Sequence, residues 1–135
     1  MTYIDTNIFI YAVTNSDAIG DACRAILRKV ATRQLEAYTS YLTWDEFVYK
    51  IKQESGIETA RDQGEKLLHF FNLTFLNADE SILFKAQELM ETYRLNPRDA
   101  IHAATALVHH IPSITSDDAD FDKILQLKRV KPLTS

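Results

Sequence analysis

The chain has 135 residues, 46% hydrophobic and 25% charged, which is enough apolar mass for one domain core and too little length for a second. Its formal charge of -4, from 15 Lys and Arg against 19 Asp and Glu, argues against a protein that holds nucleic acid by bulk electrostatics, since phosphate contacts need basic side chains. An enzyme acting on nucleic acid stays open, because clustered carboxylates that bind divalent cations make the metal-free chain acidic.

No apolar run approaches the roughly 18 residues of a membrane span. The N-terminus shows no basic region followed by a long apolar stretch and a small-residue cleavage site, so a cytoplasmic protein is expected. Cys23 is the single cysteine, which excludes an internal disulfide framework and a thiolate-rich zinc site. It reads as a small buried apolar residue.

Thr2-Tyr3-Ile4 reads as an opening strand that Asp5 ends. Asn7 to Val13 fits a short helix, and Asp17 to Ala31 places Ala22, Ala25, Ile26, Leu27 and Val30 at helical spacing. Ala37-Tyr38-Thr39-Ser40 leans to strand. From Thr43, the positions Trp44, Phe47, Val48 and Ile51 mark an amphipathic helix that Ser55-Gly56 ends. Thr59 to Phe71 reads as a helix, Leu73 to Leu76 as a strand and Glu80 to Tyr93 as a helix. Asn96 suits an N-cap and Pro97 the first helical position, and the alanine-rich run Ala100 to Val108 predicts a buried helix. Ser113 to Ser116 reads as a strand, Asp120 to Leu125 as a short helix and Lys128 to Lys131 as a last strand. Strands alternating with helices predict an α/β/α sandwich around a mainly parallel sheet. The three glycines make neither GxGxxG nor GxxxxGK[ST], so no phosphate-cradling nucleotide loop is expected.

Four acids fall at element boundaries: Asp5 after the first strand, Glu46 and Asp99 at helix starts, and Asp118 beyond the fourth strand. Each has a local explanation. Asp5 could cap the next helix. Thr43-Trp44-Asp45-Glu46 fits a capping box, and Asp99 could complement a helix macrodipole. Thr115-Ser116-Asp117-Asp118-Ala119-Asp120-Phe121-Asp122 could be a solvated acidic turn, although its four acids repel one another without a cation or good solvation. Carboxyl ends of parallel strands share one rim, so all four positions could also converge there, and converging like charges require a counter-ion. Magnesium or manganese suits carboxylate oxygens, and the Cys and His spacing of a zinc site is missing. Two such ions, about 3.5–4 Å apart, support in-line hydrolysis at phosphorus without a covalent nucleophile.

In order and spacing, Tyr3-Ile4-Asp5-Thr6-Asn7-Ile8-Phe9, Thr39 to Glu46, Leu95-Asn96-Pro97-Arg98-Asp99-Ala100-Ile101-His102-Ala103-Ala104 and Ile114 to Asp122 together resemble the PIN-domain ribonucleases. Among these the likeness is to VapC-type toxins of toxin–antitoxin pairs, and it covers nearly the whole chain. The resemblance implies one three-layer α/β/α PIN-like domain over residues 1–135 and Mg2+- or Mn2+-dependent cleavage of RNA. It also implies that Asp5, Glu46, Asp99 and Asp118 form the acidic quartet that binds metal and carries catalysis. Ser116-x-Asp118-x-Asp120-Phe121 matches the family's S/T-x-D-x-D-F ending, with Thr115-x-Asp117 a competing register. Thr6 and Asn7 would support Asp5 through side-chain hydrogen bonds. Toxins of this type dimerise and are inhibited by a small antitoxin, so a homodimer and a cognate antitoxin are the expected partners.

Arg98, beside Asp99, is the best candidate for a phosphate contact, with Lys50 and Lys52 on the helix after Glu46; as single residues each fits a solvated helix face. His102 reads as a hydrogen-bonded core histidine rather than a general acid. Tyr3, Tyr11, Tyr38, Tyr41, Trp44, Phe47 and Tyr49 could stack on bases, yet their positions favour core packing. A catalytically silent PIN-like RNA-binding or protein-interaction module is the alternative function, though a pure binder has no use for four acids. A small metal-dependent phosphatase ranks behind, because Asp5-Thr6-Asn7 lacks the second aspartate of a D-x-D nucleophile pattern.

Overall fold

The computed structural model describes residues 1–133. Five strands, β1 (Thr2–Ile4), β2 (Ala37–Ser40), β3 (Leu73–Leu76), β4 (Ser113–Thr115) and β5 (Lys128–Val130), form one sheet in the order β3-β2-β1-β4-β5. Every pairing is parallel, with Tyr3 opposite Tyr38 on one side and Ile114 on the other. Parallel strands need crossovers; six helices supply those from β1 to β4, α1 (Thr6–Thr14), α2 (Ala18–Ala31), α3 (Tyr41–Ser55), α4 (Ile57–Leu68), α5 (Glu80–Tyr93) and α6 (Pro97–Val108), and the 3-10 turn Ala119–Lys123 lies between β4 and β5.

The two-residue period of β1 sends its side chains into two cores. Ile4 packs with Ile8, Phe9, Cys23, Val30, Phe47, Ile51 and Leu67 from the first four helices. Tyr3 packs with Ile82, Leu89, Ala103, Ala104, Ile114 and Phe121 under the other two. The result is the three-layer α/β/α architecture expected from the sequence. Cys23 lies in the first core, fully buried, and burial pushes its thiol up to about 11.

Several boundaries move, for local reasons. Helix α3 starts at Tyr41 rather than Thr43, with Ser40 as N-cap and no side-chain cap bond. Thr43 is therefore inside the helix, its hydroxyl 2.7 Å from that of Thr39, and the capping box does not form. Gly56, at φ 90°, makes the sharp joint that lets α4 begin at once. Gly20 is needed for close approach: a Cβ there would meet the Asn15 carbonyl oxygen at 1.9 Å.

The aromatics divide. Tyr3 and Phe47 are buried, but Tyr41, Trp44 and Tyr49 are 51%, 38% and 63% exposed, against the core role expected for them. The buried stripe of α3 is Thr43, Phe47 and Ile51 at four-residue spacing, and Tyr41 and Tyr49 fall off that stripe.

Candidate active site

Strands β1 and β4 are neighbours in the sheet, although nearly the whole chain separates them. After β1 the chain proceeds toward β2 and β3, whereas after β4 it proceeds toward β5. Their carboxyl ends therefore flank a topological switch point, where open parallel sheets form ligand crevices. A cleft of about 470 Å3 opens there, and Asp5, Glu46, Asp99 and Asp118 all line it. Asp45, Tyr49, Lys50, Gln53 and Arg98 complete much of the wall.

Asp5 is 5% exposed. Its Oδ1 accepts the Thr6 backbone N–H at 2.8 Å and its Oδ2 accepts the Ser116 hydroxyl at 2.6 Å. It thus caps α1 and faces the cleft, so the two readings of Asp5 are not exclusive. Burial raises its carboxyl above the ordinary value, against the pull of His102, Ser116 and Thr6.

Ser116 ties the two strand ends together. Its hydroxyl donates to Asp5 and accepts both the Asp118 N–H at 3.0 Å and the Asn7 side-chain amide at 3.3 Å. Thr6 and Asn7 therefore act differently from the expectation. Only the Thr6 backbone serves Asp5; its hydroxyl donates to Glu46 Oε1 at 2.9 Å, and Asn7 supports Ser116. Each side chain reaches the partner its helical position allows.

Glu46, on the second turn of α3, also accepts the imidazole Nε2–H of His102 on Oε1 at 2.5 Å. Burial would raise its carboxyl, but the hydrogen bond and charge of His102, the Thr6 hydroxyl and Arg98 hold it below the usual value. His102 is 1% exposed. Burial works against its charged form, yet Tyr3, Glu46 and Asp5 together hold it well above the ordinary histidine value.

Asp99, in the first turn of α6, is pushed up to about 7, chiefly by burial and then by the charges of Asp118, Asp5 and Glu46. Asp118 caps the 3-10 turn Ala119–Lys123 by accepting the Asp120 N–H at 2.9 Å. Carboxylate oxygens of Asp99, Asp118 and Asp120 lie within 4.8 Å of one another. Asp120 was not singled out by the sequence, although it stands in the same motif. Asp118 rather than Asp117 lines the cleft, while Asp117 is exposed and gives its N–H to Asn7.

This donor set suits a hard divalent cation: all oxygen, carboxylate-rich and with no thiolate, with burial and the neighbouring charges together raising Asp99 to about 7. Asp99, Asp118 and Asp120 could hold such an ion, with Asp5 and Glu46 around it. Arg98 lines the cleft and has no ion pair among the described residues, whereas Lys50 pairs with Glu54 at 3.5 Å. Lys52 is exposed and is not part of the cleft wall.

The family model described as PIN domain matches residues 2–125. Among curated proteins none matches the sequence. Solved structures do. A toxin–antitoxin complex from Klebsiella pneumoniae has a chain 22% identical, with TM-score 0.70 and 98% of each chain covered. VapBC2 from Rickettsia felis, bound to a DNA fragment from its promoter, has one 20% identical, with TM-score 0.75 over 97% of this chain and 98% of that one. The Mycobacterium tuberculosis VapC20, described as a sarcin–ricin loop cleaving toxin, is 15% identical with TM-score 0.75, covering 90% and 93%. At these identities the likenesses speak for the fold, and the family match spans most of the chain: this protein belongs to the PIN domain family.

Proposed function

We propose that the protein is a divalent-metal-dependent endoribonuclease that hydrolyses RNA phosphodiester bonds, as the toxin of a type II toxin–antitoxin pair. The observation that carries this reading is the convergence of Asp5, Glu46, Asp99 and Asp118 on one cleft at the switch point. Asp120 joins them through the tight group with Asp99 and Asp118. Burial and the charges of three other acids push Asp99 up to about 7, a cost to the fold that a structural role alone does not offset.

In this reading Asp5, Glu46, Asp99 and Asp118 hold Mg2+ or Mn2+ and carry catalysis. Bound there, the cation would supply an activated water and neutralise the charge that develops on the phosphate. Ser116 and Thr6 orient the Asp5 and Glu46 carboxylates. Arg98 offers a guanidinium to a phosphate oxygen from the cleft wall, the geometry Arg serves best. Tyr49, 63% exposed on the same wall, offers a ring face to an unpaired base.

The toxin assignment draws on the VapBC and toxin–antitoxin names of the structural relatives. It also fits the apolar side chains exposed on α3, α4 and α5, among them Trp44, Ile57, Leu68, Leu83 and Phe84, which an antitoxin and a second copy of the chain would cover. A cytoplasmic location and a single domain over residues 1–135 belong to the same reading. No helix among the described residues is long and apolar enough to cross a membrane.

The test is RNA cleavage with Mg2+ or Mn2+ by the wild-type protein, Asp5→Asn and Asp99→Asn. Both variants should keep the fold and lose more than roughly a hundredfold in rate, beyond the loss typical of residues that only support a metal ligand. Full activity in either variant would sink the assignment. RNA binding indifferent to the metal, without turnover, would instead favour a catalytically silent module.

A further inference from the structure

Behind Glu46 runs a buried polar chain that the four-acid site does not require. The Tyr3 hydroxyl lies 2.6 Å from His102 Nδ1, and His102 Nε2 lies 2.5 Å from Glu46 Oε1. Tyr3 is 0% and His102 1% exposed. Both side chains sit in the core beneath β1 and α6, where an apolar pair of the same volume would pack without desolvating a phenol and an imidazole. The polar pair therefore needs a purpose at its outer end, and that end is Glu46.

The hydrogen bonds have one consistent direction. An ionised carboxylate can only accept, so His102 Nε2 carries the hydrogen toward Glu46, and Tyr3 satisfies the remaining ring nitrogen. The Thr6 hydroxyl donates to the same Oε1 at 2.9 Å. Among the described residues both donors fall on Oε1 and none on Oε2. One oxygen of Glu46 is thus held by the protein while the other is left for the cleft.

We propose that His102, aligned by Tyr3, is a positioning residue that fixes Glu46 to present a single carboxylate oxygen to the divalent cation. The inference rests on the metal-site reading above. Its physical basis is the one seen wherever an outer partner orients a ligand: a carboxylate on a flexible side chain loses ordering entropy on binding unless its rotamer is fixed beforehand. Glu46 needs this more than the aspartates, because its side chain has one more rotatable bond and α3, which carries it, follows β2, on the other side of β1 from the strand that leads to Asp118 and Asp120.

The test is titration of Mn2+ into chelator-treated protein, read by the electron paramagnetic resonance of the free ion, with melting temperatures in EDTA as an independent check of folding. Wild type, Glu46→Gln, His102→Ala, Tyr3→Phe and the double variant His102→Ala/Glu46→Gln are compared. His102→Ala should weaken Mn2+ binding by about 10–100-fold, and Tyr3→Phe by less, in the same direction. The double variant should bind no more weakly than Glu46→Gln, because both changes act through one carboxylate. His102→Gln, whose amide can still donate, should recover part of the loss.

Wild-type affinity in a folded His102→Ala, or losses that multiply in the double variant, would overturn the proposal. If His102→Ala does not fold, Tyr3→Phe decides, and unchanged affinity there overturns it equally. Weakening by Glu46→Gln but not by the Tyr3 and His102 variants would remove this inference and leave the metal site standing. Absence of Mn2+ binding by the wild type would remove both.

Discussion

Asp99→Asn should make the metal-free protein more stable while removing its response to metal. Asp99 is raised from 3.8 to about 7 in the folded chain. At about 1.36 kcal/mol per unit, holding it ionised above neutral pH costs the fold at most about 4 kcal/mol. The cleft is open to water, which screens the repulsion, so about 1–2 kcal/mol is the realistic share. Unfolding entropy of about 2.1 cal/mol/K per residue converts this to a rise in melting temperature of about 4–7 °C for a chain of this length. The sign follows from the direction of the shift. A carboxyl whose folded value is raised favours folding by its protonated form, so the stability is present below the unfolded value and is lost as the pH rises through the folded one. The variant's advantage is therefore greatest above pH 7 and closes between about 7 and 4. Scanning fluorimetry in EDTA from pH 5 to 8 measures it. Mn2+ at about 100 times its dissociation constant should then stabilise the wild type by about 2.7 kcal/mol and the variant by much less. No gain in the variant at pH 8, or a gain that does not shrink at pH 5, would refute the electrostatic account of the site.

Other side chains make separate predictions. Arg129 grips Asp122 through two nitrogens at 2.9 and 3.0 Å and donates to the Ser116 carbonyl at 3.1 Å. Arg129→Ala should destabilise by about 1–3 kcal/mol through the buried carbonyl it leaves unpaired, measured by urea unfolding, and should loosen Mn2+ binding by freeing the loop that carries Asp118. Tyr49→Ala should weaken binding of a single-stranded oligoribonucleotide by about 1–3 kcal/mol if one base stacks there, with the fold unchanged; fluorescence anisotropy reads it, and equal affinity would remove Tyr49 from the substrate path. Arg98→Ala should lower RNA affinity and reduce the slope of log K against log salt by about 0.7, and an unchanged slope would show that Arg98 contacts no phosphate.

What the sequence disclosed is what local chemistry encodes. The apolar run of β1 stopping at Asp5, the Asn96-Pro97 start of α6 and the alternation of strands with helices all appear where the pattern placed them. So does the buried, alanine-rich face of α6. The contacts that organise the site are of another kind. Ser116 and Asp5 are 111 residues apart, and Thr6 and His102 are 96 apart. They meet because β4 inserts beside β1, a choice of strand order that no local periodicity records. Asp120 escaped for the same reason: its place beside Asp99 depends on how a 3-10 turn lands against the start of α6. The capping box at Thr43 failed oppositely. Its local signal was sound, but a buried hydroxyl pair with Thr39 took the threonine.

The finished cleft has two electrostatic halves, and the division bears on how the site works. Asp5 and Glu46 share protein donors: Ser116, the Thr6 backbone and hydroxyl, and His102. Their geometry is therefore set before any ligand arrives. Asp99 and Asp118 have no ion pair among the described residues, and Asp120 has only Lys123 at 3.5 Å. In that half Asp99 is the acid pushed to about 7, first by burial and then by the charges of its neighbours. A site of this form separates positioning from affinity. The preorganised half would hold its carboxylates ready for a cation, and neutralising the buried, mutually repelling acids of the other half would favour the cation's binding. Substitutions on the two sides should accordingly differ in kind: losing Ser116 or His102 misplaces a ligand, whereas losing Asp99 removes a repulsion the metal-free fold would be better without.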